Sequence, residues 1–598
     1  MTGRQIASAF RASLASILSI SLIVEPIIVR AQELSGATGV SPANQPRIEA
    51  AGNGVPLVNI VTPNAAGLSH NKYDNFNVGA PGLILNNSNG DLNRSQLGGL
   101  VQGNTNLGGS GPARVILNEV VGANRSLLQG ATEVFGRQAD VVIANPNGLT
   151  CNGCGFINSP RVTLSTGTPE LGGDGSLRNL RVERGDVTIG TGGADLSQSD
   201  IFDIVSRKIS VNGPVNARGE INLAAGRNTF DYAAGTVTSL GSDGNEPEIA
   251  IDSSLLGGMY AGRIKIIATD KGAGVNMKGN MAANAGAMTL TADGKLTLGK
   301  TYASKSIAAR SASRSVTVES TLFSDEAVVL EGKSVTELAA DALVGAKGDV
   351  TIKGKSVVVG AGALAASGLD ANGVQSAIGR LDIQAEELNA GKGQLFGGSL
   401  LSIAAGSIDI SRAADNGKDI FRSLGLITID ARRIDAANGR ATANGNLTLS
   451  SESGLTISGG RIVSGGMLLA TAANLSSSAT LAATDRLQLT SRNGDLVQSG
   501  SVQANGIELT SASDLTNSGK IVSTKDVKLT ATGAFDNTAS GVIAAQGGEL
   551  VVAGTHDVSN SGTMTSSSFS TVSAGGGLNN GGTLVAAKSL ELIATGNF

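Results

Sequence analysis

The chain has 598 residues, with 83 Gly, no Trp, 3% aromatic and 16% charged side chains, and a net charge of -4. So few aromatic and charged residues do not fit an ordinary globular enzyme, and 41% hydrophobic content with little net charge does not fit a disordered chain. Near-balanced charge without a basic cluster also excludes a nucleic-acid partner. What is left is a chain of short strands rich in small and β-branched residues, joined by Gly, Asn and Ser turns.

In chain order, residues 1–31 read as a secretory signal peptide. Arg4 and Arg11 precede an apolar run from Leu14 to Val24, and Val29-Arg30-Ala31 offers small residues for cleavage before Gln32. Glu25-Pro26 ends that run short of the roughly 20 residues that span a bilayer.

Residues 32–275 are the least periodic part and form the first domain, closed by Gly257-Gly258-Met259-Tyr260-Ala261-Gly262. They hold two distinctive segments, Thr62-Pro63-Asn64-Ala65-Ala66-Gly67-Leu68-Ser69-His70-Asn71 and Phe76-Asn77-Val78. His70 is expected to be packed and hydrogen-bonded rather than catalytic. Further on, the β-branched run Ala139 to Ala144 leads into Asn145-Pro146-Asn147-Gly148-Leu149-Thr150-Cys151-Asn152-Gly153-Cys154. Pro146 fixes φ, and Asn147-Gly148 is expected to take the left-handed conformation. Cys151 and Cys154 are the chain's only cysteines. In an exported protein the default for such a pair is a local disulfide. A reduced pair, a redox pair and a metal site are the alternatives. Gly153 and Gly155 disfavour the helix that a redox pair needs. A zinc site lacks ligands, because the only histidines, His70 and His556, are remote in sequence.

Residues 276–445 carry irregular coils such as Met288-x-Leu290, Val316-x-Val318 and Val350-x-Ile352. Residues 446–598 are a regular repeat of about 20 residues. Leu449, Leu469, Leu489, Leu509 and Leu529 are evenly spaced, and Val552, Val572 and Leu592 resume the spacing. Leu455, Leu475, Leu496, Leu515, Phe535, Val558 and Leu578 form a second column. Ile462, Leu481, Val502, Ile521, Ile543, Met564 and Leu584 form a third. Three strands per repeat predict an all-β parallel solenoid. At about 4.8 Å per coil, the stretch after residue 275 would make a rod of roughly 75 Å. Asn517, Asn537, Asn560 and Asn580 each follow an inward apolar residue by two, so their amides can stack into a ladder. The alternative is a left-handed turn at each Asn.

The segments Val55 to Asn87, Asn145 to Asn158 followed by Arg161-Val162-Thr163-Leu164, and Gly257 to Gly279 together resemble the secretion domain of two-partner secretion exoproteins. That family takes in the filamentous haemagglutinins, haemolysins and contact-dependent inhibition proteins. The resemblance implies a right-handed parallel β-helix with an N-terminal cap. It also implies a partner, an outer-membrane β-barrel transporter with periplasmic domains. On the same ground Asn145, Pro146, Asn147 and Gly148 are the secretion motif, and Pro63, Asn64, His70, Asn71, Phe76 and Asn77 form a secondary motif. Leu149 stands where Ile is more usual.

The leading expectation is a secreted or surface-bound adhesin of a Gram-negative bacterium, not an enzyme and without metal or cofactor, that meets a receptor on a host or neighbouring cell. A delivery stalk for a contact-dependent inhibition toxin or haemolysin is the alternative, since the chain stops at Phe598 inside a coil with no effector region after it. A polysaccharide-acting enzyme is disfavoured, because Ser, Thr and Asn occupy the exposed positions where clustered carboxylates would be needed.

Overall fold

The computed structural model describes residues 34–414 and 416–598. The expected leader at 1–31 lies outside the described residues. The chain winds into a β-solenoid of about 23 turns. Each coil contributes up to three short strands, and each strand pairs in parallel with its counterpart in the coils before and after. The first face runs from Leu68–Asn75 through Val115–Val120, Asp140–Ala144, Arg161–Ser165 and Ile201–Ser206 to Ser589–Ala594. The second runs from Ser126–Leu128 through Leu149–Cys151 and Asp186–Ile189 to Leu578–Asn580. The third runs from Pro56–Asn59 through Leu83–Asn87, Ala131–Gly136 and Cys154–Ile157 to Thr583–Ala586. Between Val328 and Ser458 the first two faces fuse into single long strands, such as Val350–Val359 and Leu426–Ala437.

Alternation drives the winding. Successive side chains point in and out, and the inward aliphatics stack into one core that extends from Val58 to Leu578. One coil has nothing to close its own two edges, so each coil is stable only against its neighbours. The second and third sequence columns hold throughout, with Leu455 opposite Leu475 and Ile462 opposite Leu481. The first column holds except at one member. Ala470, not Leu469, stands opposite Leu449 and Leu489, and Leu469 points outward. One coil is longer by a residue and the next is shorter, so even spacing lands on Leu469 while the pleat turns it away.

The first domain adds two devices to this plan. At its start, Ser35–Gly36 and Arg47–Ala50 pair antiparallel with the first strands of the first and third faces and cover their open edges. Farther along, Thr168–Leu171, Leu177–Val182, Asn228–Asp231 and Thr236–Ser239 form a separate antiparallel sheet. Leu180 and Phe230 of that sheet pack on the outward residues Val142, Ala144, Val205 and Ala224. Strands buried on both sides read as continuous apolar runs, which is why Val141-Val142-Ile143-Ala144 carries no polar alternation. Among the described residues, no helix is long and apolar enough to cross a membrane.

Candidate functional site: the Asn145–Gly148 corner

Strand Asp140–Ala144 ends on the first face and Leu149–Cys151 begins on the second. The intervening four residues make the corner. The Gly148 amide donates to the Asn145 carbonyl at 3.0 Å, closing a β-turn. Asn at the first position, Pro at the second and Gly at the fourth is the type I preference. Only Gly148 takes a positive φ, of 104°. The left-handed conformation expected for Asn147-Gly148 is thus confined to the glycine, because a type I turn leaves its third residue at negative φ.

Asn145 is fully buried and holds the corner from within. Its Oδ1 accepts from the Asn147 amide at 2.9 Å, and its Nδ2 donates to the Asn124 carbonyl at 2.9 Å and to Ser126 Oγ at 3.0 Å. Its own amide reaches forward to the Ser165 carbonyl at 2.8 Å. One residue therefore joins the turn to the coils on either side, through its side chain to the coil before and through its backbone amide to the coil after. Half-buried Asn147 donates through Nδ2 to the Gly122 carbonyl at 2.8 Å. Pro146 is half-buried, and its carbonyl lies 2.7 Å from where a Cβ on Gly185 would sit, so the following coil must cross with a glycine.

A column of asparagines reaches this corner from the preceding coils, whereas the secondary-motif residues bond elsewhere. Asn124 Nδ2 donates to Asn75 Oδ1 at 2.7 Å, and Asn75 Nδ2 donates to Ser35 Oγ at 3.0 Å. With Asn145 these residues form a column of amides across the first three coils. Asn77 Oδ1 accepts from the Leu127 amide at 2.7 Å at the start of the second face. Phe76 is buried edge-on to Tyr73, ring centroids 4.9 Å apart. Asn71 is buried, and its Oδ1 accepts from the Val61 amide at 2.9 Å. His70 Nε2 lies 2.7 Å from Glu119 Oε2, with Lys72 Nζ 3.3 Å from the same oxygen. Burial alone would raise the Glu119 carboxyl, but the bonds to His70 and Lys72 outweigh it and hold the group below its ordinary range. Pro63 is buried and Asn64 sits apart at the first face, its Nδ2 donating to the Gly175 carbonyl at 2.8 Å.

Sequence reasoning missed Asn75, Asn124 and the arginine that locks the outer side. Arg125 makes two bonds to the Asp186 carboxylate, at 2.8 and 2.6 Å, and one to the Leu149 carbonyl at 2.7 Å. These bonds tie together three successive strands of the second face. The Arg125 bonds hold the Asp186 carboxyl below its usual range. Its signal in the sequence was only a lone arginine one coil ahead of the motif.

Beyond the turn, Cys151 ends the second face and Cys154 begins the third. They are joined as a disulfide across the Asn152-Gly153 corner with Cα atoms 5.3 Å apart, both buried. Far along the shaft, Asn517 Nδ2 donates to Asn537 Oδ1 at 2.8 Å, Asn537 to Asn560 at 2.7 Å, and Asn560 to Asn580 at 2.6 Å. None of the four takes a positive φ, so they form a ladder rather than left-handed turns. His556 is exposed at a repeat corner. The Asn145 corner pairs no nucleophile with a base. Its chemistry is that of a rigid, fully hydrogen-bonded bend.

Known proteins resemble this chain in both its first domain and its shaft. The family model of the TPS secretion domain matches residues 34–298, and that of the haemagglutinin repeat matches 488–539 and 540–598. The 16S rRNA endonuclease CdiA of Enterobacter cloacae is 39% identical over 440 residues, which is 72% of this chain and 13% of that protein. The tRNA nuclease CdiA of Escherichia coli STEC_O31 is 49% identical over 273 residues, 45% of this chain and 8% of that one. The crystal structure of a filamentous hemagglutinin secretion domain is 29% identical with a TM-score of 0.43, covering 60% of this chain and all of that one. The chain spans 13% or less of the length of these CdiA relatives. With a secretion domain followed by haemagglutinin repeats, the chain belongs to the two-partner secretion exoproteins, which Gram-negative bacteria secrete or display through an outer-membrane transporter.

Proposed function

We propose that this chain is the export head and adjoining shaft of a contact-dependent inhibition exoprotein, and that it acts as a structural carrier rather than as a catalyst. The observation that carries this reading is the identity to proteins named CdiA over as much as 72% of the chain. Those relatives are named nucleases and toxins, but the chain spans only a small fraction of each. The three-faced stack supports a stiff shaft that would hold a receptor-binding region or cargo away from the cell. A filamentous haemagglutinin-like adhesin is the second reading, favoured by the haemagglutinin repeats at 488–598. Co-culture separates the two. Growth arrest of contacted neighbours supports delivery, and adherence without arrest supports the adhesin.

In the proposed mechanism the chain crosses the outer membrane unfolded, first domain leading. It then folds outside, each finished coil offering its open edge to the next. The Asn145–Gly148 corner fixes where its coil passes from the first face to the second, so its role in export is to set the first coils. Asn147→Ala removes the bond to Gly122 and should leave the protein in the periplasm of cells that make the transporter. Unimpaired export of that variant overturns the assignment.

A further inference from the structure

The inward column that carries the asparagine ladder starts differently from how it continues. Register places Ala436, Ile457, Ser477, Gln498 and Asn517 successively opposite one another, and Asn537, Asn560 and Asn580 follow. Ser477, Gln498 and Asn517 are fully buried. From Asn517 onward the amides satisfy one another, each Nδ2 donating to the Oδ1 of the next coil. At the other end that pattern stops. Ser477 Oγ and both Gln498 amide atoms, Oε1 and Nε2, meet no hydrogen-bond partner among the described residues. Asn517 Oδ1, the first acceptor of the ladder, takes the Gly519 amide at 3.3 Å, a long bond. One methylene accounts for the break. Glutamine carries its amide one carbon farther from the backbone than asparagine does, so Gln498 cannot repeat the bond that matches the coil spacing. Ser477 is smaller than Ile457 before it or Gln498 after it, and fills less of the space beside that amide.

We propose that Ser477 and Gln498 form an internal water site, in which one buried water joins the two side chains between their coils. A primary amide presents an N–H and its C=O along one edge. A single water can therefore accept from Gln498 Nε2 and donate to Gln498 Oε1 while its second lone pair takes the Ser477 hydroxyl. Three bonds are what an internal water usually makes. Burying three polar atoms without partners costs more than holding one water in place. An ion fits less well, because the column from Ala436 to Asn580 carries no charged side chain to neutralise it. The water marks the coil where the aliphatic column gives way to amides, and it holds Gln498 in the register that the ladder then continues. The site is independent of the choice between delivery stalk and adhesin.

A crystal structure of the full chain, at a resolution that shows ordered water, tests the site directly. It should show a density peak within hydrogen-bond distance of Ser477 Oγ and of both Gln498 amide atoms. An empty map there, or a direct bond between the two side chains, overturns the proposal. A double-mutant cycle tests it in solution, read by hydrogen exchange at the Leu475 and Leu496 amides, which donate to the Asp495 and Asp514 carbonyls. Ser477→Ala and Gln498→Leu each strip the water of a partner, so each should speed exchange. Together they replace the site with an apolar core, and the double variant should exchange at least about tenfold more slowly than the product of the two single effects requires. Multiplicative effects overturn the proposal. So does slower exchange in either single variant, the result expected if the polar atoms bind nothing. The crystallographic arm uses the unaltered chain and decides the matter even if a variant fails to fold.

Discussion

In the secretion domain, a nearly buried Arg161 bonds Asp203 at 2.7 Å, and Arg207 clamps Asp270 at 2.6 Å from the next coil but one on the first face. In the coils after Leu447 the ion pairs, such as Arg486 to Glu508, sit on the outer surface, where exposed Arg486 and Lys528 meet a half-buried Glu508. What repeats inside those later coils is neutral: aliphatic columns and the Asn517 to Asn580 ladder. The same three-faced stack is therefore specified in two ways. The first domain uses contacts that occur once and fit only one register. The shaft uses contacts that any coil can make with the next. Unique contacts suit a segment that must start the fold at one place, and interchangeable ones suit propagation.

The comparison breaks hardest at Asp203. It is fully buried and bonds Arg161, Thr163 at 3.0 Å and Asn222 at 2.9 Å. Asp203→Ala leaves Arg161 charged with its partner gone, at a cost of about 3–5 kcal/mol. Hydrogen exchange should show that loss at amides throughout the first domain. In the shaft, Leu509→Ala opens a cavity worth about 3 kcal/mol. There the loss should stay within the coils beside Leu509, because each coil touches only its neighbours. Spread of that effect into the first domain would contradict the distinction.

Smaller effects sharpen the contrast. Asn537→Ala breaks the ladder at its middle and leaves the buried Asn560 Oδ1 without its donor, for about 1.5 kcal/mol read at nearby amides. Asp186 gives the least, because its ion pair with Arg125 is partly solvent-exposed, and Asp186→Asn should cost under about 1 kcal/mol at neutral pH. Its sign with pH is fixed. The folded-state carboxyl is lowered, so its contribution is complete above the ordinary carboxylate range and is lost as pH falls through that lowered value. Asp186→Asn should accordingly flatten the acid limb of the stability profile, and an unaltered limb would show that the pair contributes nothing.

How much could be read from the sequence follows the same division. Columns at a fixed spacing are visible because every coil repeats them, so the shaft's faces and its Asn ladder were legible, Leu469 excepted, where a long and a short coil cancel. The Asn145–Gly148 turn was legible because Pro and Gly constrain the backbone locally. The amide column through Asn75 and Asn124 was not, since single polar residues in different coils carry no period. The cover sheet was hidden for a related reason. Its strands are short, and the double-sided burial that it causes looks like an ordinary apolar run.

Native-state hydrogen exchange of the full chain under rising denaturant tests the account most directly. If the first domain is specified by unique, mutually dependent contacts, amides of its first face from Leu68 to Ala268 should converge on one opening free energy. Amides of the shaft strands from Leu447 onward should open coil by coil, with free energies graded along the column. A single shared opening free energy for both regions, or a graded series within the first domain, would contradict it.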